Sequence, residues 1–182
     1  MKSVHNDPAY AVVFNEMKQE LDTARKKYRV HSAIIGEPRK DEWWMKRHQS
    51  MNKNARKQHD LLFIGDSITQ GWEGSGKGTW EKYYANRKAL NLGISGDRTE
   101  HVIWRLDNGN LRNQKKAKAA VVMIGTNNTG PVMQDPTEVR DGVERIVSTL
   151  RARCPEAKIL LLGVFPRGVA PDAAKRNNNI EI

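Results

Sequence analysis

AAVVMIGTNN, residues 119–128, is an unbroken apolar run that ends in glycine and then turns abruptly polar. Continuous rather than alternating apolarity marks a strand covered on both faces, as in parallel sheets flanked by helices. Three other runs repeat the rhythm: Leu61-Leu62-Phe63-Ile64-Gly65, the weaker Ala89-Leu90-Asn91-Leu92-Gly93, and Ile159-Leu160-Leu161-Leu162-Gly163-Val164-Phe165. Between residues 125 and 159 the period lengthens. Val139, Val143, Ile146, Val147 and Leu150 fall on one helix face, with Pro136 near its start and Cys154-Pro155 as its stop. Strand, helix and strand at this spacing predict right-handed βαβ units and an open α/β sandwich.

Upstream of residue 61 the chain is charged and helical. Phe14, Met17, Leu21, Ala24 and Tyr28 share a helix face, and Asp7-Pro8 supplies a start signal with Asp as N-cap. Gly36-Glu37-Pro38 interrupts the pattern. A second amphipathic segment then places Trp44, His48, Met51 and Ala55 on one face, where His48 reads as a packed side chain. The domain reading is a charged helical extension over residues 1–36 followed by the α/β domain over 37–182.

Composition excludes several classes. The chain has 182 residues, 38% of them hydrophobic, enough for a packed core and too apolar for a disordered chain. No run approaches the roughly 18 apolar residues of a membrane span. No apolar leader follows Met1, so the cytoplasm is the default compartment. The single cysteine, Cys154, excludes an internal disulfide and a cysteine-built zinc site. Net charge is +10, but the excess is spread along the chain, and residues 1–60 carry 13 basic and 8 acidic side chains. No basic stripe is interleaved with aromatics, so a nucleic-acid partner is not expected and a solvated basic surface is.

In parallel α/β sheets, ligands bind beyond the carboxyl ends of the strands. The residues there are Gly65-Asp66-Ser67-Ile68-Thr69-Gln70-Gly71-Trp72, Gly93-Ile94-Ser95-Gly96-Asp97-Arg98-Thr99, Gly125-Thr126-Asn127-Asn128 and Pro166-Arg167-Gly168. The first three loops bring a hydroxyl, a glycine-flanked backbone and a carboxamide to one sheet edge. Those are the parts of an acyl-transfer site: a nucleophile, and donors for a developing oxyanion.

GDSITQGW, NLGISGDRT and GTNN, in this order, resemble the first three sequence blocks of the SGNH (GDSL) hydrolases. NLGISGDRTEHVIWRLDNGNL with VVMIGTNN and LLLGVFPRG is most similar to the catalytic subunits of intracellular platelet-activating factor acetylhydrolase. The resemblance runs from about residue 37 to the end. It implies a three-layer α/β/α sandwich with a parallel sheet of flavodoxin-like order. It implies Ser67 as nucleophile, and the N–H groups of Ser67 and Gly96 with the Asn127 amide as oxyanion donors. Residue chemistry agrees: glycine at 96 permits close approach of backbone, and an Asn amide is a neutral donor that leaves the serine proton alone. Asp66 reads as a loop-bonding residue, and Asp97 with Glu100 as a helix N-cap. Ile68 replaces the family's leucine at nearly equal volume.

One departure is large. The family's general base and its orienting aspartate lie in a later D-x-x-H block, and no D-x-x-H occurs here. The five histidines are His5, His31, His48, His59 and His101. His101 sits in a helical stretch and reads as packing. The chain is therefore expected to lack a final strand and helix as well as the base, and to turn over weakly by itself.

The implied activity is hydrolysis of a short acyl ester, acetyl in type, through an acyl-enzyme, without metal or cofactor. The expected partner is a small-molecule ester of a phospholipid or a carbohydrate, and the resemblance implies pairing into a homodimer. The contrasting reading is a non-catalytic module that holds an acylated ligand in the same cleft. Gly71-Trp72-Glu73-Gly74-Ser75-Gly76-Lys77-Gly78 falls one residue short of a phosphate loop and does not directly follow a strand, so nucleotide binding is not expected. Residues 6–30 weakly resemble the C-terminal helix of type I sulfatases, but the active-site motif of that family is missing from the sequence.

Overall fold

A computed structural model of the chain describes residues 8–27, 30–130, 132–167, 179, 180 and 182. The chain divides into two compact units, Met1–Ser32 and Ala33–Ile182. The first contains one helix, α1 (Pro8–Lys27), on which Phe14, Met17 and Leu21 are all exposed. The expected cap Asp7 and the face residue Tyr28 lie outside the described residues.

The second unit follows the order α2 (Glu42–Asn54), β1 (Leu61–Gly65), α3 (Ser67–Gln70), α4 (Lys77–Tyr83), β2 (Ala89–Gly93), α5 (Thr99–Arg105), β3 (Ala119–Met123), α6 (Thr126–Thr129), α7 (Pro136–Arg153) and β4 (Lys158–Leu161). All four apolar runs are strands. They pair in parallel in the order β2-β1-β3-β4, so the first strand sits inside and the chain reverses winding direction beside it. That reversal opens the crevice in which such sheets bind ligands.

On one face, Leu62, Ile64, Leu90, Leu92, Ala120 and Val122 pack under α2, α5 and α7 through Trp44, Met51, Val102, Ile103, Val143, Ile146 and Leu150. The expected face of α2 is all inward: Trp44, His48, Met51 and Ala55 are buried. Asp135 caps α7 by accepting from Thr137 N at 2.8 Å, with Pro136 at the first helical position. On the other face Phe63 meets Trp72, Trp80 and Tyr84 edge-on at 6.2, 5.0 and 5.0 Å. The glycine-rich stretch 71–78 thus forms helical turns that carry Trp72 to this cluster, away from the strand-to-helix step a phosphate loop requires.

β4 departs from expectation. The run 159–165 reads as covered on both faces, yet the strand ends at Leu161, and Leu160, Leu161, Leu162 and Phe165 are exposed. β4 is the sheet's edge, and the aromatic cluster covers the opposite half of that face, over β1.

Candidate active site

Ser67 is the first residue of α3 and is exposed, two residues past the end of β1. The buried Asp66 carboxylate accepts from Ile68 N at 3.0 Å and so shapes the turn that presents the hydroxyl. Burial raises the Asp66 pKa, and the N–H from Ile68 pulls against that shift. The expectation that Asp66 bonds loop backbone is met.

Gly96 lies in the exposed loop after β2, at φ +78°, where an L side chain is strained. A Cβ there would also stand 2.7 Å from Arg39 Nη1, which donates to Ser95 O at 2.9 Å. The loop is tied to the first block as well: Ser95 N donates to Gln70 Oε1 at 2.7 Å, and Ile94 N to Gly65 O at 3.3 Å. Gly93 is required by close approach, because a Cβ would strike the backbone of Thr69 and Gln70.

Asn127, half-buried on α6, joins the three loops. Its Nδ2 donates to Asp97 O at 2.9 Å, beside Gly96, and lies 3.4 Å from Asp66 Oδ2, beside Ser67. The short bond fixes the carboxamide plane. In that plane the second N–H makes only a long contact, which a stronger acceptor in the same direction replaces at little cost.

Below these loops runs a buried polar network that no local sequence signal announces. Asp97 is not the N-cap of α5. That position belongs to Arg98, whose N–H donates to His101 Nδ1 at 3.0 Å. Asp97 instead points inward, accepting from Trp44 Nε1 at 2.6 Å and Arg105 Nε at 2.8 Å. A wholly buried guanidinium pairs with the carboxylate's charge as well as hydrogen-bonding it, which backbone N–H groups at a helix start cannot do. Arg105 also reaches Asn110 Oδ1 at 2.6 Å and Gly65 O at 3.4 Å, linking the first two blocks from beneath. Arg39, Trp44, Arg105 and Arg167, the last donating to Thr126 O at 2.7 Å, are the residues that sequence reading missed. Arg39, Trp44 and Arg167 reach partners 56, 53 and 41 residues away, and Arg105 meets Asp97 at a separation of eight that no helix or strand period marks.

The described histidines do not bond Ser67. Burial holds His48 down to about 4 and His101 down to about 3, with nearby arginines adding to both shifts. His48 stacks on Trp44 at 5.7 Å, and the Asn52 and Asn110 amides contact its ring nitrogens at 3.0 and 3.3 Å. Among the described residues no imidazole bonds the Ser67 hydroxyl. His5 lies outside them.

No group of three or more metal-ligating side chains occurs among the described residues, and no described helix is long and apolar enough to cross a membrane.

Known proteins are similar to this chain in sequence and in fold. The chain is 40% identical over 139 residues to platelet-activating factor acetylhydrolase IB subunit alpha2 of Rattus norvegicus, covering 76% of this chain and 58% of that one. Subunit alpha1 of Bos taurus is 36% identical over 136 residues, covering 75% and 56%. The chain thus spans little more than half the length of these relatives. Among solved structures, AlinE4, an SGNH-hydrolase family esterase, superposes with TM-score 0.50 at 24% identity over 68% of this chain and 67% of that one. A GDSL-like lipase from Bacteroides thetaiotaomicron VPI-5482 gives 0.52 at 20% identity over 75% and 64%. These likenesses show the fold. The sequence model of the GDSL-like lipase/acylhydrolase family matches residues 63–181, and the chain belongs to that family.

Proposed function

We propose that residues 37–182 form a serine esterase domain in which Ser67 attacks an acyl ester. The observation that carries this reading is the Asn127 carboxamide, bonded to the carbonyl next to Gly96 and in contact with the carboxylate next to Ser67. One side chain thereby touches the chain neighbours of both Gly96 and Ser67, which supports a site built from these three residues. In the reaction the Ser67 oxygen bonds to the carbonyl carbon and the carbonyl oxygen becomes an oxyanion. The N–H groups of Ser67 and Gly96 and the Asn127 amide donate to it. The alcohol leaves, and water then cleaves the acyl-enzyme. No step calls for a metal or cofactor.

The names of the relatives as acetylhydrolase subunits support an acetyl ester as substrate; the alcohol is that of a phospholipid or a carbohydrate, and the domain pairs with a second copy. Turnover by this chain alone is low, because no D-x-x-H occurs in it and its described histidines are not placed to take the serine proton. In triad enzymes, loss of a member leaves roughly 10³–10⁴-fold catalysis over water.

The engagement of His48 and His101 elsewhere favours one second reading, a module that binds an acylated ligand without cleaving it. A fluorophosphonate label and p-nitrophenyl acetate separate the two. Labelling and slow hydrolysis, both lost in Ser67→Ala, are expected of the esterase. A folded chain that neither labels nor hydrolyses is the binding module.

A further inference from the structure

A cleft of about 760 Å³ opens among the end of α2, the turn after α5 and the end of α7. α2 and α7 finish there just before β1 and β4 begin, so it lies at the opposite end of the sheet from Ser67. Its walls carry Lys53, Arg56, Arg112 and Arg153 against a single carboxylate, Asp107. Arg153 pairs with Asp107 at 3.3 Å. Among the described residues Lys53, Arg56 and Arg112 form no ion pair, whereas Arg39, Lys46, Arg47, Arg98 and Lys118 each have an acidic partner within 4 Å.

Part of that charge is accounted for by structure. Each helix C-terminus carries roughly half a negative charge, so the ends of α2 and α7 offset about one of the three unpaired cations. About two positive charges are left over. The cleft is also held open. Asn113 Nδ2 donates to Arg56 O at 2.8 Å, which sets Arg56 against the neighbouring Arg112. Asn52, on the floor, donates to Asn108 O at 2.9 Å and accepts from Asn110 Nδ2 at 2.7 Å.

We propose that this cleft binds a phosphomonoester. A phosphate monoester carries about −1.5 to −2 charge near pH 7, which matches the uncompensated charge, and guanidinium groups bind its oxygens two at a time. The volume falls within the usual range for small-ligand sites, so it accepts an organic group beyond the phosphate. The site is independent of the Ser67 chemistry.

Isothermal titration calorimetry of the whole chain at low ionic strength tests it, with inorganic phosphate and glucose 6-phosphate as ligands. Saturable binding is expected, weakened about tenfold by Arg56→Gln and by Arg112→Gln, the loss of one charge-assisted contact. Lys82→Gln, on α4 across the sheet, leaves affinity unchanged. Both arginines are exposed, so either variant alone decides if the other misfolds, as judged by circular dichroism. Tighter binding of glucose 6-phosphate shows that the organic group is held too, and equal affinities show a site for the phosphate alone. Absence of binding, cleft variants that bind like the parent, or equal weakening by Lys82→Gln each overturn the proposal, the last by assigning the binding to diffuse charge.

Discussion

Asp97 and Arg105 meet at 2.8 Å with neither side chain exposed to solvent, and the carboxylate belongs to the residue that follows Gly96. A charge pair this deep adds little net stability, but its halves cannot be separated cheaply. Arg105→Ala strands the Asp97 charge, and urea denaturation is expected to show a loss of about 3–5 kcal/mol. Trp44→Phe, which removes one donor to the same carboxylate, should cost about 1.5–3 kcal/mol.

Asn127→Ala removes a proposed oxyanion donor and the bond to Asp97 O. Ser67-dependent hydrolysis of p-nitrophenyl acetate should fall by about 10²–10³ in kcat, with KM little changed. A loss confined to KM would make Asn127 a substrate-binding group instead.

Acid should destabilise the domain through its two buried histidines. His48 and His101 have folded pKa values of about 4 and about 3, below the 6.5 of an unfolded histidine. The unfolded chain therefore binds more protons below about pH 6.5, so stability is full above that pH and declines as pH falls towards 4 and 3. Urea midpoints at about pH 7.5 and about pH 5 measure the drop, and His48→Asn or His101→Asn should shrink it.

Asp135→Ala removes the cap of α7, whose buried face, with Val143, Ile146 and Leu150, joins the hydrophobic core. The expected cost is about 1 kcal/mol by thermal or urea unfolding, with Asp135→Asn nearly neutral.

Much of this was legible beforehand for a physical reason. The strands β1, β2 and β3 and the helix α7 announce themselves because each buries a continuous face, and burial leaves a period in the sequence. The loops that carry Ser67, Gly96 and Asn127 were legible because parallel sheets put such loops at the carboxyl ends of strands, and the roles proposed for the three residues come from the family resemblance. Asp97 was misread because a carboxylate at a helix start and a carboxylate under a loop look alike until Arg105, eight residues on, and Trp44, fifty-three residues back, are brought against it. β4 was misjudged because an apolar run reports what a strand could bury, and neighbours decide what it does bury.

The outer margin of β4 shapes how the protein will behave in the test tube. Among the described residues no strand bonds to that side, and of its four residues only Lys158 carries a charge to repel an incoming chain. Free amides and carbonyls beside bare leucines make an adhesive hem, to which extended segments of other molecules can stitch themselves. Concentrated samples should therefore thicken into aggregates sooner than a domain of such high net charge would suggest, and a lysine in place of Leu160 should delay it.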